Sequence, residues 1–275
     1  MSRESRERFR GIMAGSPDHL DLPCLLIAAE AMPTGTDLDA FLARGVAVLD
    51  QLADQGPSDG RDDERLRRAL GGFHGQPEDY ESLGSSLLPR VLARRRGLPI
   101  LLSVVWTETA RRMGIPAYGV ALPGHFVVAV GDRDTFRADL PDGSRVLVDP
   151  WSGGTLLPFD RARDIVERSG HVFRREHLAP AGPVDTVARI LANIRNWAAH
   201  PLRAPTRLWA IDLALELPDP PPRLMAERGI ALLDMGHAQL ARRWLQEYAE
   251  LTESSSPTEA EAARRSALRA QAMLN

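Results

Sequence analysis

Apolar residues recur at spacings of three and four over most of the chain, which predicts a largely helical protein. In the N-terminal third this spacing runs through residues 20–32 and 38–53, and Asp37 is placed to cap the second of these helices. A polar stretch rich in turn-forming residues, 55–63, follows them. We therefore expect residues 1–72 to form an N-terminal helical region.

The middle of the chain contains a segment that is apolar on every side. A helix over residues 85–96 is predicted to end in an arginine run, and Pro99 can then occupy the first turn of the next helix. Proline costs nothing there because the first N–H groups of a helix have no partner inside it. The first half of this second helix, which should reach about Met113, has the pattern of a helix buried in a domain core.

The hydrophobic period then changes from that of a helix to that of a strand. Residues 117–122 and 125–130 read as strands separated by a Pro-Gly turn, and residues 136–139 and 146–149 flank a Pro-Asp-Gly turn typical of a hairpin. A buried helix followed by antiparallel strands predicts the α+β fold class for the region 73–180.

Residues 181–275 return to a helical pattern, interrupted by the stiff Pro-Asp-Pro-Pro-Pro segment at 218–222. After this break, small and large apolar residues alternate at steps of three to five positions: Gly229, Leu232, Gly236, Ala241 and Leu245. Such spacing is typical of a tetratricopeptide repeat, in which small residues let paired helices approach closely. The region is predicted to be tetratricopeptide-like, with a capping helix over 258–274.

Composition and charge narrow the classes of function. The net charge of −3 provides no basic field that would draw the protein to nucleic acid or to an anionic membrane. No segment approaches the roughly 20 apolar residues that span a bilayer, and the charged N-terminus lacks an apolar signal core. These features predict a cytoplasmic protein with no nucleic-acid or membrane partner. Neither a glycine-rich phosphate loop nor a zinc-binding pattern occurs, so no cofactor and no metal are predicted.

The chain has one cysteine, Cys24, which excludes an intramolecular disulfide and a cysteine-rich metal site. It lies in the apolar helical run LPCLLIAAEAM. Cysteines in such runs usually behave as small buried hydrophobic residues, so a structural role is expected.

Four motifs follow one another in the centre of the chain: FHGQPEDY (73–80), RVLARRRGLPILLSVVWTETARRMGIP (90–116), LPGHF (122–126) and VDPWSGG (148–154). In this order they resemble the SirB-type transglutaminase-like family, and the helical tail resembles what that family carries after its core. The likeness covers about residues 20–251. It implies a papain/transglutaminase-like core, in which a central helix packs on an antiparallel sheet.

The resemblance also implies where catalytic groups would lie. Enzymes of this type carry a cysteine at the start of the buried helix, a histidine from the next strand and an aspartate from the strand after. His125 matches the histidine and Asp149 the aspartate, but the cysteine position falls near Pro99, and proline is not a nucleophile. Ser103, one helical turn further on the same face, is the nearest hydroxyl, followed by Thr107.

Each of these residues also has a structural interpretation. His125 and Asp149 are either a working acid/base pair or a hydrogen-bonded pair retained from an ancestor. Ser103 is either a nucleophile or a helical serine bonded to a carbonyl of the preceding turn, and the latter is favoured.

The arginine run 94–96 either binds an anion or is a solvated helix end, which we favour. His74, Asp79 and Tyr80 lack metal-ligand spacing and are expected to form a polar loop network at the rim of the cleft.

Two functions from different classes follow. The missing nucleophile and the repeat-like tail predict a regulatory or accessory binding protein, with a small molecule or peptide in the core cleft and a protein or peptide partner on the tail. A chaperone-like scaffold differs from this only in the breadth of its partners. The alternative is an enzyme of amide or acyl chemistry, by hydrolysis or acyl transfer, that uses His125 and Asp149 with Ser103 or with an activated water or amine.

Overall fold

The computed structural model describes residues 3–15, 17–133 and 145–274. The predicted strand at 136–139 and its Pro-Asp-Gly turn lie outside these residues. Internal contacts divide the chain into two compact units, residues 16–190 and residues 2–15 with 191–275. The sequence predicts a different division, into the three regions 1–72, 73–180 and 181–275. That division remains a prediction.

The described helices are α1 (Arg3–Ala14), α2 (Asp21–Ala29), α3 (Leu38–Asp54), α4 (Asp62–Leu70), α5 (Leu88–Arg94), α6 (Pro99–Arg112), α7 (Phe159–Arg168), α8 (Pro183–Trp197), α9 (Ala204–Leu215), α10 (Arg223–Asp234), α11 (Ala238–Thr252) and α12 (Pro257–Ala272). The strands are β1 (Ala117–Val120), β2 (Val127–Val130), β3 (Val146–Asp149) and β4 (Thr155–Leu156). Within the described residues, no helix is both long enough and apolar enough to cross a membrane.

Most predicted helices occur within a few residues of their expected bounds, and the Asp37 side chain caps α3 by accepting a hydrogen bond from the N–H of Ala40 at 3.0 Å. The single helix predicted over 85–96 is wrong in its first half. A 3₁₀ turn, Leu83–Ser86, comes first, and α5 begins only at Leu88. Pro89 explains the difference because proline fits only the first turn of a helix.

The first unit is built around α6, as its all-round apolar pattern predicted. Residues 99–106 are buried, and the helix contacts α3 on one side and β1, β2 and a 3₁₀ turn, Pro150–Ser152, on the other. A central helix packed on an antiparallel sheet is the α+β arrangement that the sequence predicted.

The sheet has the strand order β1-β2-β3-β4, with every neighbouring pair antiparallel. Val127 and Ala129 of β2 join a core cluster that includes Ala162 and Val166 of α7. Side chains alternate across a strand, so Val128 and Val130 face the other side of the sheet, towards α6. All four residues of β2 are therefore buried, and β2 holds the adjoining loop that carries His125 against the core.

The second unit contains consecutive helices α9 to α12, each packed on the next. Gly229 of α10 allows close approach to α11, since a Cβ there would lie 2.6 Å from Cγ of Leu245. The N-terminal helix α1, which the sequence reading did not identify, belongs to this unit. Its Arg6 donates to Asp212 of α9 at 2.8 Å.

Candidate functional site

His125 and Asp149, predicted as an acid/base pair, are in direct contact. His125 lies in the loop between β1 and β2, and Asp149 is the last residue of β3. Nε2 of His125 is 2.9 Å from Oδ1 of Asp149. Because the carboxylate can only accept, the proton of the neutral imidazole is on Nε2, and Nδ1 is the basic nitrogen.

The Asp149 carboxylate is held at both oxygens. The N–H of Trp151 donates to Oδ1 at 3.0 Å and the hydroxyl of Ser152 donates to Oδ2 at 3.0 Å. These bonds arise because Pro150 turns the chain out of β3 into a 3₁₀ turn that Asp149 caps. The side chains of His125 and Asp149 are only 13% and 11% exposed, so the pair is largely shielded from water.

The backbone of His125 is fixed by an arginine that the sequence reading missed. Arg189 of α8 donates to the carbonyl of Leu122 at 3.2 Å and to that of His125 at 3.0 Å. Its guanidinium carbon also lies 5.5 Å from the centre of the Phe126 ring. Gly124 permits the tight turn between these carbonyls, with a φ of +79°.

Ser103 of α6 contacts the loop that carries His125. Its hydroxyl donates to the carbonyl of Phe126 at 3.4 Å, a long and therefore weak bond, and the residue is 1% exposed. The expected bond to a carbonyl of the preceding helical turn is wrong, because the carbonyl of the adjacent loop accepts instead. Thr107 does bond within its helix, to Val104 at 3.2 Å. The role of Ser103 as a nucleophile stays a prediction.

The single cysteine of the chain lies in α2, not at the start of α6. Pro99 begins α6 and is buried. Cys24 is 1% exposed in α2, and burial, with smaller contributions from Glu108 and Asp21, raises the pKa of its thiol. None of the hydrogen bonds among the described residues joins Cys24 to His125. The expectation of a buried cysteine is confirmed, and a buried neutral thiol is a poor nucleophile.

Aromatic side chains adjoin the aspartate. The N–H of Gly75 donates to the carbonyl of Trp151 at 2.9 Å, and a Cβ on Gly75 would lie 1.8 Å from the indole. The ring centres of Tyr80 and Trp151 are 5.7 Å apart. Tyr80 is 55% exposed, yet the burial of its phenol is enough to raise the pKa. Gly75 and Tyr80 thus pack against the indole of Trp151, and Tyr80 also faces solvent.

Asp79 forms the polar network expected in this loop, whereas Tyr80 makes an aromatic contact with Trp151. The buried carboxylate of Asp79 accepts from the N–H of Gln76 at 2.9 Å, from the hydroxyl of Ser85 at 3.1 Å and from Arg94 at 3.1 Å, with Arg96 at 3.3 Å. Arg94 ends α5 and its side chain is 39% exposed, as expected of a solvated helix end, but Arg94 and Arg96 also pair with Asp79, which the sequence did not predict. A carboxylate buried this completely requires cationic partners.

Among the described residues, no group of three or more His, Cys, Asp or Glu side chains is arranged to hold a metal ion. The chemistry available at the site is that of an imidazole base, oriented by a carboxylate, beside an aromatic surface.

A family model described as the transglutaminase-like superfamily matches residues 38–192. The chain belongs to that superfamily. The matched range contains α6, the sheet and the His125–Asp149 pair, together with Arg189 at its end.

The chain is also similar to curated proteins. A UPF0162 protein of Xylella fastidiosa (strain 9a5c) is 35% identical over 190 residues, which is 67% of this chain and 64% of the relative. A UPF0162 protein of Pseudomonas aeruginosa is 30% identical over 213 residues, 73% of this chain and 74% of the relative. Mouse F-box only protein 21 shares a shorter segment, 36% identical over 56 residues, 20% of this chain and 9% of that protein. No solved structure matches.

Proposed function

We propose that the transglutaminase-like core binds a ligand beside the His125–Asp149 pair and does not attack it with a nucleophile of its own. The observation that carries the proposal is the buried Pro99 at the first turn of α6, the position at which the family resemblance puts the reactive cysteine. The Ser103 hydroxyl, turned to the Phe126 carbonyl, and the buried Cys24 support it further. The protein then acts as a regulatory or accessory binding protein.

Three finer assignments belong to this proposal. The order of the central motifs supports membership of the SirB-type branch. The close packing of α10, α11 and α12 supports a tetratricopeptide-like tail that engages a protein or peptide partner. Composition and charge support a cytoplasmic location without nucleic-acid or membrane partners. The chain spans about 64% of the length of the Xylella relatives. These assignments are therefore proposed for this chain and not for the full length of those relatives.

A second function is favoured by the intact geometry of the pair. Nδ1 of His125 is basic, and Asp149 is held at both oxygens, as general-base catalysis requires. In this alternative, His125 takes a proton from a water or an amine that attacks an amide or acyl carbon. Ser103 would serve as the nucleophile only after its hydroxyl left the Phe126 carbonyl.

The two functions are separated by kinetics and binding measured on one set of compounds. Amide, thioester and acyl-transfer substrates are incubated with the wild type, His125→Ala and, as the control for the hydroxyl, Ser103→Ala. The binding role predicts equal background rates for all three proteins, while NMR shifts of the Trp151 indole report binding to the wild type. A wild-type rate well above that of His125→Ala establishes the enzyme, and an additional loss in Ser103→Ala identifies the nucleophile.

A further inference from the structure

Arg189 has different partners from three other arginines of the first unit that pair with buried carboxylates. Arg94 and Arg96 pair with Asp79, and Arg112 pairs with Asp21 at 2.6 Å. Arg189 has no carboxylate partner within the part of the chain that the structure describes. Its two hydrogen bonds both go to main-chain carbonyls of the His125 loop.

A guanidinium has five N–H donors. Two of those on Arg189 are used by the carbonyls of Leu122 and His125, which leaves three without an acceptor among the residues described. Desolvation by burial lowers the pKa of Arg189, but a guanidinium remains charged at neutral pH. A partly desolvated charge with no counter-charge is unfavourable, and an anionic ligand would relieve that cost.

The surroundings of Arg189 are neutral and aromatic. The phenol of Tyr80 is near enough for each group to affect the pKa of the other, and burial keeps this phenol protonated. Tyr80 in turn adjoins the Trp151 indole, which follows the Asp149 strand. One positive charge, held against the histidine loop, therefore lies within electrostatic range of an exposed aromatic side chain.

We infer that Arg189 binds the carboxylate of the ligand in the core, so that this ligand is a monoanionic acid with an apolar or aromatic body. This inference rests on the proposed ligand-binding function. A carboxylate fits the planar fork of a guanidinium, and its single charge matches the single cation. The acid is either a peptide C-terminus or a small N-acyl amino acid, because both present the same chemistry.

The test compares N-acetyl-phenylalanine with its neutral primary amide, by NMR titration of the full chain. The wild type is expected to bind the acid about tenfold more tightly, the difference that one charge-assisted interaction supplies. Raising the salt concentration should reduce this preference without any mutation. Arg189→Gln should abolish the preference, Arg189→Lys should keep part of it, and Arg90→Gln, an exposed position on α5, should leave it unchanged.

The outcomes separate the inference from the function on which it rests. Equal affinity of the folded wild type for acid and amide overturns the role of Arg189 and leaves ligand binding standing. Failure of both compounds, and of a tetrapeptide ending in phenylalanine, to bind overturns both. Tighter binding of inorganic phosphate than of acetate overturns the carboxylate assignment. Tighter binding of the tetrapeptide acid than of N-acetyl-phenylalanine supports a peptide C-terminus, and equal binding supports a small acid.

Discussion

The loop that follows Asp149 has no room for a side chain at Gly154, and this makes a quantitative prediction. A Cβ at Gly154 would lie 2.1 Å from Cη2 of Trp106, whose side chain is fully buried and cannot move outwards. Overpacking of this kind costs about 1–3 kcal/mol. The φ of +78° at Gly154 adds about 1 kcal/mol of backbone strain for alanine. Gly154→Ala should therefore lower the free energy of unfolding by about 2–4 kcal/mol.

Its neighbour provides a matched control. Gly153 has a similar φ of +68°, but a Cβ there would meet only the carbonyl oxygens of Gly71 and Phe73 at 4.0 Å. Gly153→Ala should lower the free energy of unfolding by about 1 kcal/mol, the contribution of backbone strain alone. Urea denaturation followed by tryptophan fluorescence measures both variants. Equal losses in the two variants would refute the claim that contact with Trp106, and not backbone conformation, limits this loop.

Three further predictions concern other parts of the molecule. Gly229→Ala should destabilise the second unit by about 1–3 kcal/mol in the same assay, since the new methyl would strike Leu245; unchanged stability would mean that α10 and α11 are not packed this closely. Asp79→Asn should lower the free energy of unfolding by about 1–3 kcal/mol, because Arg94 and Arg96 lose the charge of a buried partner. The control Asp59→Asn, at an 87% exposed side chain, should leave the free energy of unfolding almost unchanged. Equal losses in the two variants would contradict the network around Asp79. Cys24 should resist a thiol-specific disulfide reagent at pH 8 until the protein unfolds, because burial raises the pKa of its thiol, and rapid labelling of the native protein would contradict that burial.

The central helix and the sheet could be predicted because their patterns are determined by burial. Residues 99–106 are apolar all round since α6 is enclosed, and β2 is a continuous apolar run because both of its faces are covered. The start of α5 was mispredicted because periodicity alone extended the helix back through Pro89. Helix α1 was not recognised because it is highly charged, with only a few buried residues such as Phe9 and Met13.

Only the site residues that lie in a recognisable sequence motif could be predicted. His125 and Asp149 stand in LPGHF and VDPW, and the structure brings them into contact. Arg189 carries no such signal, because its partners are main-chain carbonyls 64 and 67 residues away in sequence. The partner of Ser103 was mispredicted for the same reason, since a carbonyl from another part of the chain competes with the carbonyls of its own helix.

The account depends most on the claim that the core keeps an oriented imidazole but has proline where a nucleophile would stand. Pro99→Cys tests it directly, through the pH dependence of alkylation by iodoacetamide, with Cys24 inert through burial. The account predicts that the introduced thiol reacts well below the usual thiol pKa of about 8.5, and that His125→Ala in the same background restores ordinary behaviour. The same pH profile with and without His125 would contradict it.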